Sequence, residues 1–325
     1  MNHAHLCGLF LPAAAALLLA GCGADDPKAE PATPAAETEL SDPPTTLRTA
    51  VAGTPIDKAA RNTIMVCPRA PITPPLSKAD RPWVEEGKVV VSKMPFVEGA
   101  VSHQSEFSIS LTQTGRRLKG NGLPNHPIGS FPVQQGTAAY EYYSALPAEG
   151  YDSAAEIPVE AYEINLTLPR NPQANAEPSC IKSIVTGVVT QTGAVWHLDI
   201  APDQIFRLFD PISVLPVDQC WGHPYAKQYH YHGYSWKCFP DQGEAGKHSP
   251  LFGYAMDGFG VFGPRGEDGK MVSNDDLDEC HGHTHMIEWD GEMKEMFHYH
   301  VNNQYPYSIG CYRGTPIELP NHLQH

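Results

Sequence analysis

The sequence predicts a mainly β protein: a single disulfide-braced, β-sandwich-like domain with long loops, set behind a disordered N-terminal tether. Three observations lead there. From residue 88 onward, short runs of β-branched and aromatic residues are separated by Gly, Pro, Asn and Asp, the pattern of strands and turns. The 31 prolines and 28 glycines break helices and supply turn conformations. Six cysteines follow residue 60 in a chain that opens with an export signal, and an even number there predicts a disulfide framework.

Residues 1–21 read as a lipoprotein signal peptide. The first 24 residues carry no Asp, Glu, Lys or Arg, and the apolar stretch 6–20 is shorter than the ~20 residues that span a bilayer, so it is a leader rather than an anchor helix. It ends Leu19-Ala20-Gly21-Cys22, which resembles a lipobox and makes Cys22 the expected lipidation site. The leader departs from the usual form in having His3 and His5 but no fixed positive charge at its start. Gly23 rather than Asp follows Cys22. The resemblance therefore implies a lipid-anchored protein of the cell envelope, at the outer membrane or cell surface.

Residues 22–62 are expected to be a Pro/Ala-rich tether. Eleven of the 60 residues in 23–82 are proline, mixed with Ala, Thr, Asp and Glu, and such a segment buries too little apolar area to offset its ordering entropy. Residues 63–325 form the expected domain. Strands are predicted at 88–93, 106–112, 140–146, 159–168, 181–190, 195–200, 228–234, 252–256, 259–262, 286–289, 296–301 and 307–312. The run 159–168 alternates apolar and polar side chains, as a half-buried strand does. A faint echo links residues 187–196 to 253–262, which suggests a duplicated hairpin. On proximity in sequence, the cysteines pair as Cys67 with Cys180, Cys220 with Cys238, and Cys280 with Cys311.

Asp and Glu outnumber Lys and Arg by 37 to 22, for a formal charge of −15. Phosphate neutralisation needs a basic face, so no nucleic-acid partner is expected. Gly258, Gly260 and Gly263 satisfy the dinucleotide-binding spacing, but Pro264 follows where a helix would have to begin. No Gly-x-Ser-x-Gly elbow, His-Glu-x-x-His pair or phosphate-binding loop is present.

The conspicuous excess is histidine: 16 in all, nine of them between Cys220 and Arg313. Tyr229-His230-Tyr231-His232 and Phe297-His298-Tyr299-His300 each place two imidazoles at i and i+2, which in a strand leave the same face. Cys280-His281-Gly282-His283-Thr284-His285 repeats that spacing. Crowded neutral imidazoles lose proton affinity to one another unless a cation takes the proton's place. Zinc and copper both accept nitrogen donors, so the expected cofactor is copper or zinc. The candidate ligands are His230, His232, His283, His298 and His300, expected to converge on one cation. Asp257, Asp278, Glu279, His281 and His285 are candidates to support them or to serve as alternative ligands. His126, His197, His223, His248, His322 and His325 are assigned structural roles, and Tyr229, Tyr231, Phe297 and Tyr299 are expected to face the core.

Several separated motifs now carry a resemblance. Gln228-Tyr229-His230-Tyr231-His232, residues 249–264, residues 277–283, Phe297-His298-Tyr299-His300, residues 305–311 and the upstream 121–132 together resemble the YHYH-domain family of exported bacterial proteins, over about residues 105–316. Phe297 departs from the Tyr usual in the second motif, and His281 from the usual Asn. The resemblance implies an exported β domain and no particular activity. The leading expectation is an envelope lipoprotein that binds or sequesters a transition metal, its partners being the metal ion and, through the lipid, the membrane. The alternatives are a metal-dependent hydrolase or oxidoreductase using the same site, and a surface adhesion or glycan-binding module built on Trp221, Trp236 and Trp289. No catalytic residue and no protein partner is assigned.

Overall fold

The computed structural model describes residues 58–67, 84–85, 88–144, 157–202, 208–239, 241 and 243–324. The leader, Cys22 and the tether up to residue 57 lie outside them. Fifteen strands are described: β1 Val84–Glu85, β2 Lys88–Val89, β3 Phe107–Leu111, β4 Gly115–Gly120, β5 Ile164–Pro169, β6 Val185–Val189, β7 Ala194–His197, β8 Ala201–Pro202, β9 Leu208–Phe209, β10 Gly222–Tyr225, β11 Gln228–Tyr231, β12 Leu251–Ala255, β13 Gly260–Phe262, β14 Gly282–Trp289 and β15 Glu292–His300. The protein is mainly β, as its turn-rich composition predicts. Eight strands form one sheet in the order β10-β11-β7-β6-β12-β13-β15-β14, and β3-β4-β5 form a second.

The second sheet contributes Leu118, Ile164, Leu166 and Leu168 to the same core as Trp196, Phe252, Tyr254 and Trp289 of the large sheet. In β5 these leucines and Ile164 point inward while Asn165 and Thr167 are exposed, which is the alternation of a half-buried strand. Arg116 of β4 is buried as well: its guanidinium lies over the Tyr254 ring at 4.3 Å and donates to Asp290 at 2.7 Å. Asp290 and Gly291 both have positive φ and form the two-residue turn between β14 and β15, where Asp-Gly is a favoured pair.

The large sheet is built twice. In the first half the β6-β7 hairpin is followed by the β10-β11 hairpin, with β11 parallel to β7. In the second half the β12-β13 hairpin is followed by β14-β15, with β15 parallel to β13. The halves meet where β6 and β12 run antiparallel, with Gly187 paired to Ala255, Val188 to Tyr254 and Val189 to Gly253. That register maps onto itself when 187 is exchanged with 253, 188 with 254 and 189 with 255, so a pseudo-two-fold axis passes between Val188 and Tyr254. The irregularities obey it too, falling between Val185 and Gly187 on one side and between Leu251 and Gly253 on the other. The echo between 187–196 and 253–262 is thus a duplicated hairpin, and the duplication extends beyond it.

Disulfides join Cys67 to Cys180, Cys220 to Cys238 and Cys280 to Cys311, the pairing expected from the sequence. They close loops of 113, 18 and 31 residues, each worth roughly 3 to 5 kcal/mol by loop-closure entropy. Trp221, Trp236 and Trp289 are buried and form no exposed sugar platform.

Several elements differ from the sequence expectation: Val91–Lys93 is a 3-10 turn rather than the end of a strand, β1, β8 and β9 were not expected, and four further differences have a clear local cause. Residues Ala138–Ser144 are helical, where a strand was expected at 140–146. Thr137 Oγ1 accepts the Tyr140 N–H at 3.2 Å, and Ala138 and Ala139 follow it, a local helix start that outweighs the aromatic content. Residues 307–312 form no strand: a Cβ at Gly310 would lie 2.7 Å from Thr63 O and 2.8 Å from Glu279 O, so the chain is threaded between two other segments. β4 and β10 were not expected, since Arg116, Arg117 and Lys119 in one and His223 and Pro224 in the other mask the apolar pattern.

Candidate metal centre

Each half of the sheet begins its second hairpin with the same turn. Asp218 Oδ1 accepts the N–H groups of Cys220 at 2.8 Å and Gly222 at 3.2 Å. Asp278 Oδ1 accepts those of Cys280 at 2.9 Å and Gly282 at 3.1 Å. Trp221 and His281 between them both have positive φ. The turn Asp-x-Cys-x-Gly-His therefore sets His223 at the start of β10 and His283 at the start of β14, and register places them opposite His230 and His298. The i, i+2 spacing adds His232 and His300 to the same face.

The result is two imidazole clusters. The outer one holds His248, His283, His285, His298 and His300; the inner one holds His223, His230 and His232. Within each, one donor atom per ring lies within 4.8 Å of the others. The ligands expected to converge on one cation are divided between them: His283, His298 and His300 with the outer cluster, His230 and His232 with the inner. The strands β11 and β15 are separated by four others in the sheet order, a spread of roughly 24 Å at ordinary strand spacing. Sequence spacing revealed the pairs, but the strand order decides which pairs meet.

In the outer cluster the second ring nitrogen of each histidine is tied back to the chain. His248 Nδ1 bonds the Ser249 carbonyl at 2.7 Å, His285 Nδ1 that of Met286 at 3.2 Å, His298 Nδ1 that of Met296 at 3.1 Å and His300 Nδ1 that of Gly263 at 2.6 Å. The His283 ring bonds the Asp276 backbone. A carbonyl only accepts, so the Nδ1 atoms of His248, His285, His298 and His300 carry the proton and their Nε2 atoms present lone pairs. Those lone pairs face one another: His283 Nε2 to His285 Nε2 at 3.0 Å, and His248 Nε2 to His298 Nε2 at 3.3 Å. His300 Nε2 is buried with no hydrogen-bond partner among the described residues. Burial, then the neighbouring His285 and His248, hold His283 down at about 4. Burial and the adjacent imidazoles hold His298 and His300 down as well. Protons are thus poor occupants of this cluster, and Nδ1–H tautomers with converging Nε2 lone pairs could hold a metal ion.

His248, His283 and His285 are partly exposed, while His298 and His300 are buried, so the outer cluster opens to solvent on one side. The inner cluster is buried throughout. His230 Nε2 faces His232 Nε2 at 3.0 Å, and His230 Nδ1 bonds the Gln228 carbonyl at 3.1 Å. His197 stacks on His230 with ring centroids 3.5 Å apart.

The remaining candidates do structural work. Asp257 is buried and accepts the Tyr299 hydroxyl at 2.6 Å and the Gly314 N–H at 2.9 Å. Asp278 pins the turn described above. His281 points away from the cluster, bonding the His300 carbonyl at 2.8 Å and Asn274 Oδ1 at 2.9 Å. His126 bonds Tyr231 Oη at 2.7 Å, and its neighbours Cys220 and Cys238 are joined to each other and offer no thiolate. Glu279 is part-buried and lies in neither imidazole group. Tyr229, Tyr231, Phe297 and Tyr299 are buried in the core.

Sequence reasoning gave His223 and His248 structural roles, whereas each belongs to a cluster. His223 was detectable from the repeated Asp-x-Cys-x-Gly-His turn, since His283 occupies the matching position. His248 sits in a loop before β12 with no histidine two residues away, and no local signal marks it.

Fold and clusters define a disulfide-braced β protein with a duplicated sheet and two imidazole groups. Residues 165–270 match the model of the family described as YHYH protein. The matched segment contains β5 to β13 and the inner cluster, and stops short of β14 and β15. No curated protein and no solved structure matches the chain.

Proposed function

We propose that the protein is an exported lipoprotein that binds a transition metal ion, copper or zinc, at the outer cluster of His248, His283, His285, His298 and His300. The single observation that carries this reading is the set of Nε2 lone pairs brought together, with the Nδ1 atoms of His248, His285, His298 and His300 fixed on backbone carbonyls. Neutral imidazoles held that way repel one another unless a cation lies between them. Elemental analysis of protein expressed from Asp25 onward tests it. Stoichiometric copper or zinc is expected, with one ion fewer per chain in His283→Ala/His298→Ala. Unchanged metal content and affinity in that variant overturns the assignment.

The lipid anchor and envelope location belong to the same proposal and rest on Leu19-Ala20-Gly21-Cys22. Palmitate incorporation by the wild type and not by Cys22→Ala is the expected result; equal labelling of both would reject it. A second reading, a metal-dependent hydrolase or oxidoreductase, is favoured by the partial exposure of His248, His283 and His285, which leaves one side of the ion reachable by water or substrate. Counting water ligands on the cobalt-substituted protein separates the two: a closed nitrogen shell speaks for binding, an exchangeable water for catalysis.

A further inference from the structure

We infer that the inner cluster, His223, His230 and His232, is a second and separate metal site, closed to solvent, whose ion is part of the folded structure. Its ligand chemistry is that of a first-row transition metal accepting imidazole nitrogen, zinc or copper. The proposal does not depend on the outer cluster holding an ion.

Four observations carry it. The first is the pseudo-two-fold relation: the turns at Asp218 and Asp278 have matching hydrogen bonds, so His223 and His283 hold equivalent places, as do His230 and His298, and His232 and His300. The second is His223, which is 1% exposed and has no hydrogen-bond partner at either ring nitrogen among the described residues. A buried polar group left unpaired destabilises the fold, and a metal ion removes that penalty at one nitrogen directly. The third is geometry. Ligands of a tetrahedral zinc site, with Zn–N near 2.0 Å, stand about 3.3 Å apart. His230 Nε2 and His232 Nε2 are 3.0 Å apart, and the His223 ring centroid is 4.5 Å from that of His230 and 5.3 Å from that of His232. Small ring rotations bring all three nitrogens to one ion.

The fourth observation is a buried carboxyl. Asp199 is 1% exposed, and its Oδ1 has no hydrogen-bond partner among the described residues but lies 4.0 Å from His232 Nδ1. Its Oδ2 accepts the Tyr307 N–H at 3.0 Å and the Ser308 hydroxyl at 3.3 Å. A carboxyl placed behind a ligand histidine is the usual outer partner of an imidazole bound to metal, and that is where Asp199 stands relative to His232. The stack of His197 on His230 and the Gln228 carbonyl on His230 Nδ1 hold the central ring in place.

The experiment starts from an outer-site variant, His248→Ala/His283→Ala/His285→Ala, purified and loaded with zinc alone. After removal of loosely held metal it is expected to retain about one zinc per chain, released far more slowly to a chelator than the outer zinc of the wild type. Adding His223→Phe, which keeps a ring and removes its donors, is expected to abolish retention. No zinc on the outer-site variant, or equal zinc after His223→Phe, overturns the proposal. If His223→Phe fails to fold, nitrogen NMR of the histidine rings in the outer-site variant decides: three ring systems shift on zinc addition if the site is real, and none if it is not. A wild type that binds about one zinc unaffected by the outer substitutions would reject the outer centre and leave the inner one standing.

Discussion

Gly187 and Gly253 occupy equivalent positions either side of the sheet's pseudo-two-fold axis, and each lies against a carbonyl of the opposite half. A Cβ on Gly187 would stand 2.9 Å from Tyr254 O, and one on Gly253 would meet Val188 O still more closely. Neither position has room for a side chain, because the backbones of the two halves approach there. Alanine at either is expected to force β6 and β12 apart at a cost of about 2 to 3 kcal/mol, read as a lower urea midpoint. Wild-type stability for both variants would show that the halves do not pack as described.

The two repeated turns are not equally supported, which gives a second prediction. Asp218 is buried and also accepts the Tyr229 hydroxyl at 2.9 Å and the Gly129 N–H at 2.9 Å. Asp278 is part-buried and, with Phe297 in the place of Tyr229, receives no equivalent hydroxyl. Asp218→Asn puts an amide donor among four donors and is expected to cost about 3 kcal/mol; Asp278→Asn about 1 kcal/mol. Equal losses would contradict this account of the turns.

What the sequence made legible follows from the range of the physics involved. His230 with His232 and His298 with His300 could be read because i, i+2 spacing fixes their faces within one strand. That they belong to different clusters could not, because strand order depends on how β6 and β12 pair at the sheet centre. The disulfides followed from proximity, and β5 from its alternation. Arg116 concealed β4, since a buried arginine satisfied by Asp290 breaks the polar-outside rule, and Thr137 with two alanines overrode the aromatic run at Tyr140. His248 was invisible because a loop residue joins a site only through tertiary placement.

The turn joining β10 to β11 places Ala226 at φ 47° and Lys227 at φ 70°, left-handed conformations that cost L-residues about 1 kcal/mol or more. The equivalent turn at Asp290-Gly291 uses residues that tolerate them. Ala226→Asn with Lys227→Gly is expected to stabilise the protein by about 1 kcal/mol. The lost ion pair between Lys227 and Glu160, more than half exposed on both sides, subtracts little. A rise in thermal midpoint checks it; a fall would show that these residues serve something besides the turn.

Asp290 ties the hairpin of the outer cluster to the second sheet, accepting from Arg116 Nη2 and from Arg170 Nε at 2.7 Å each. The Arg116 side chain is 4% exposed, so Asp290→Ala leaves a buried cation without its carboxylate. A loss of about 3 kcal/mol is expected, with weaker metal binding at the outer cluster because β14 and β15 lose their anchor. Chemical denaturation and metal titration of the same variant measure both effects. A variant as stable as the wild type would place the anchor elsewhere.

Acid should destabilise the metal-free protein through its imidazoles. His283 falls from an ordinary 6.5 to about 4 on folding, chiefly by burial. Between those values the unfolded chain binds a proton that the folded chain refuses, so stability is lost as pH drops from 6.5 toward 4. Asp210 and Asp218 act in the opposite direction, because burial raises them to about 7 and about 6. In the folded state they take up protons before the unfolded chain does, and acidification toward 4 favours folding through them. Asp199, Asp257 and Asp278 are raised by burial as well. The depressed imidazoles, His103, His126, His223, His232, His248, His281, His283, His298 and His300, nevertheless outnumber the raised carboxyls, so net stability of the chelated protein should fall from pH 7 to pH 4.5. His283→Asn should make that fall shallower by up to about one proton in the linkage slope. Bound metal should shift the loss to lower pH, since it competes with protons for the same nitrogens. Urea titrations across that range, with and without zinc, measure each slope, and an unchanged slope in His283→Asn would show that folding does not alter the proton affinity of His283.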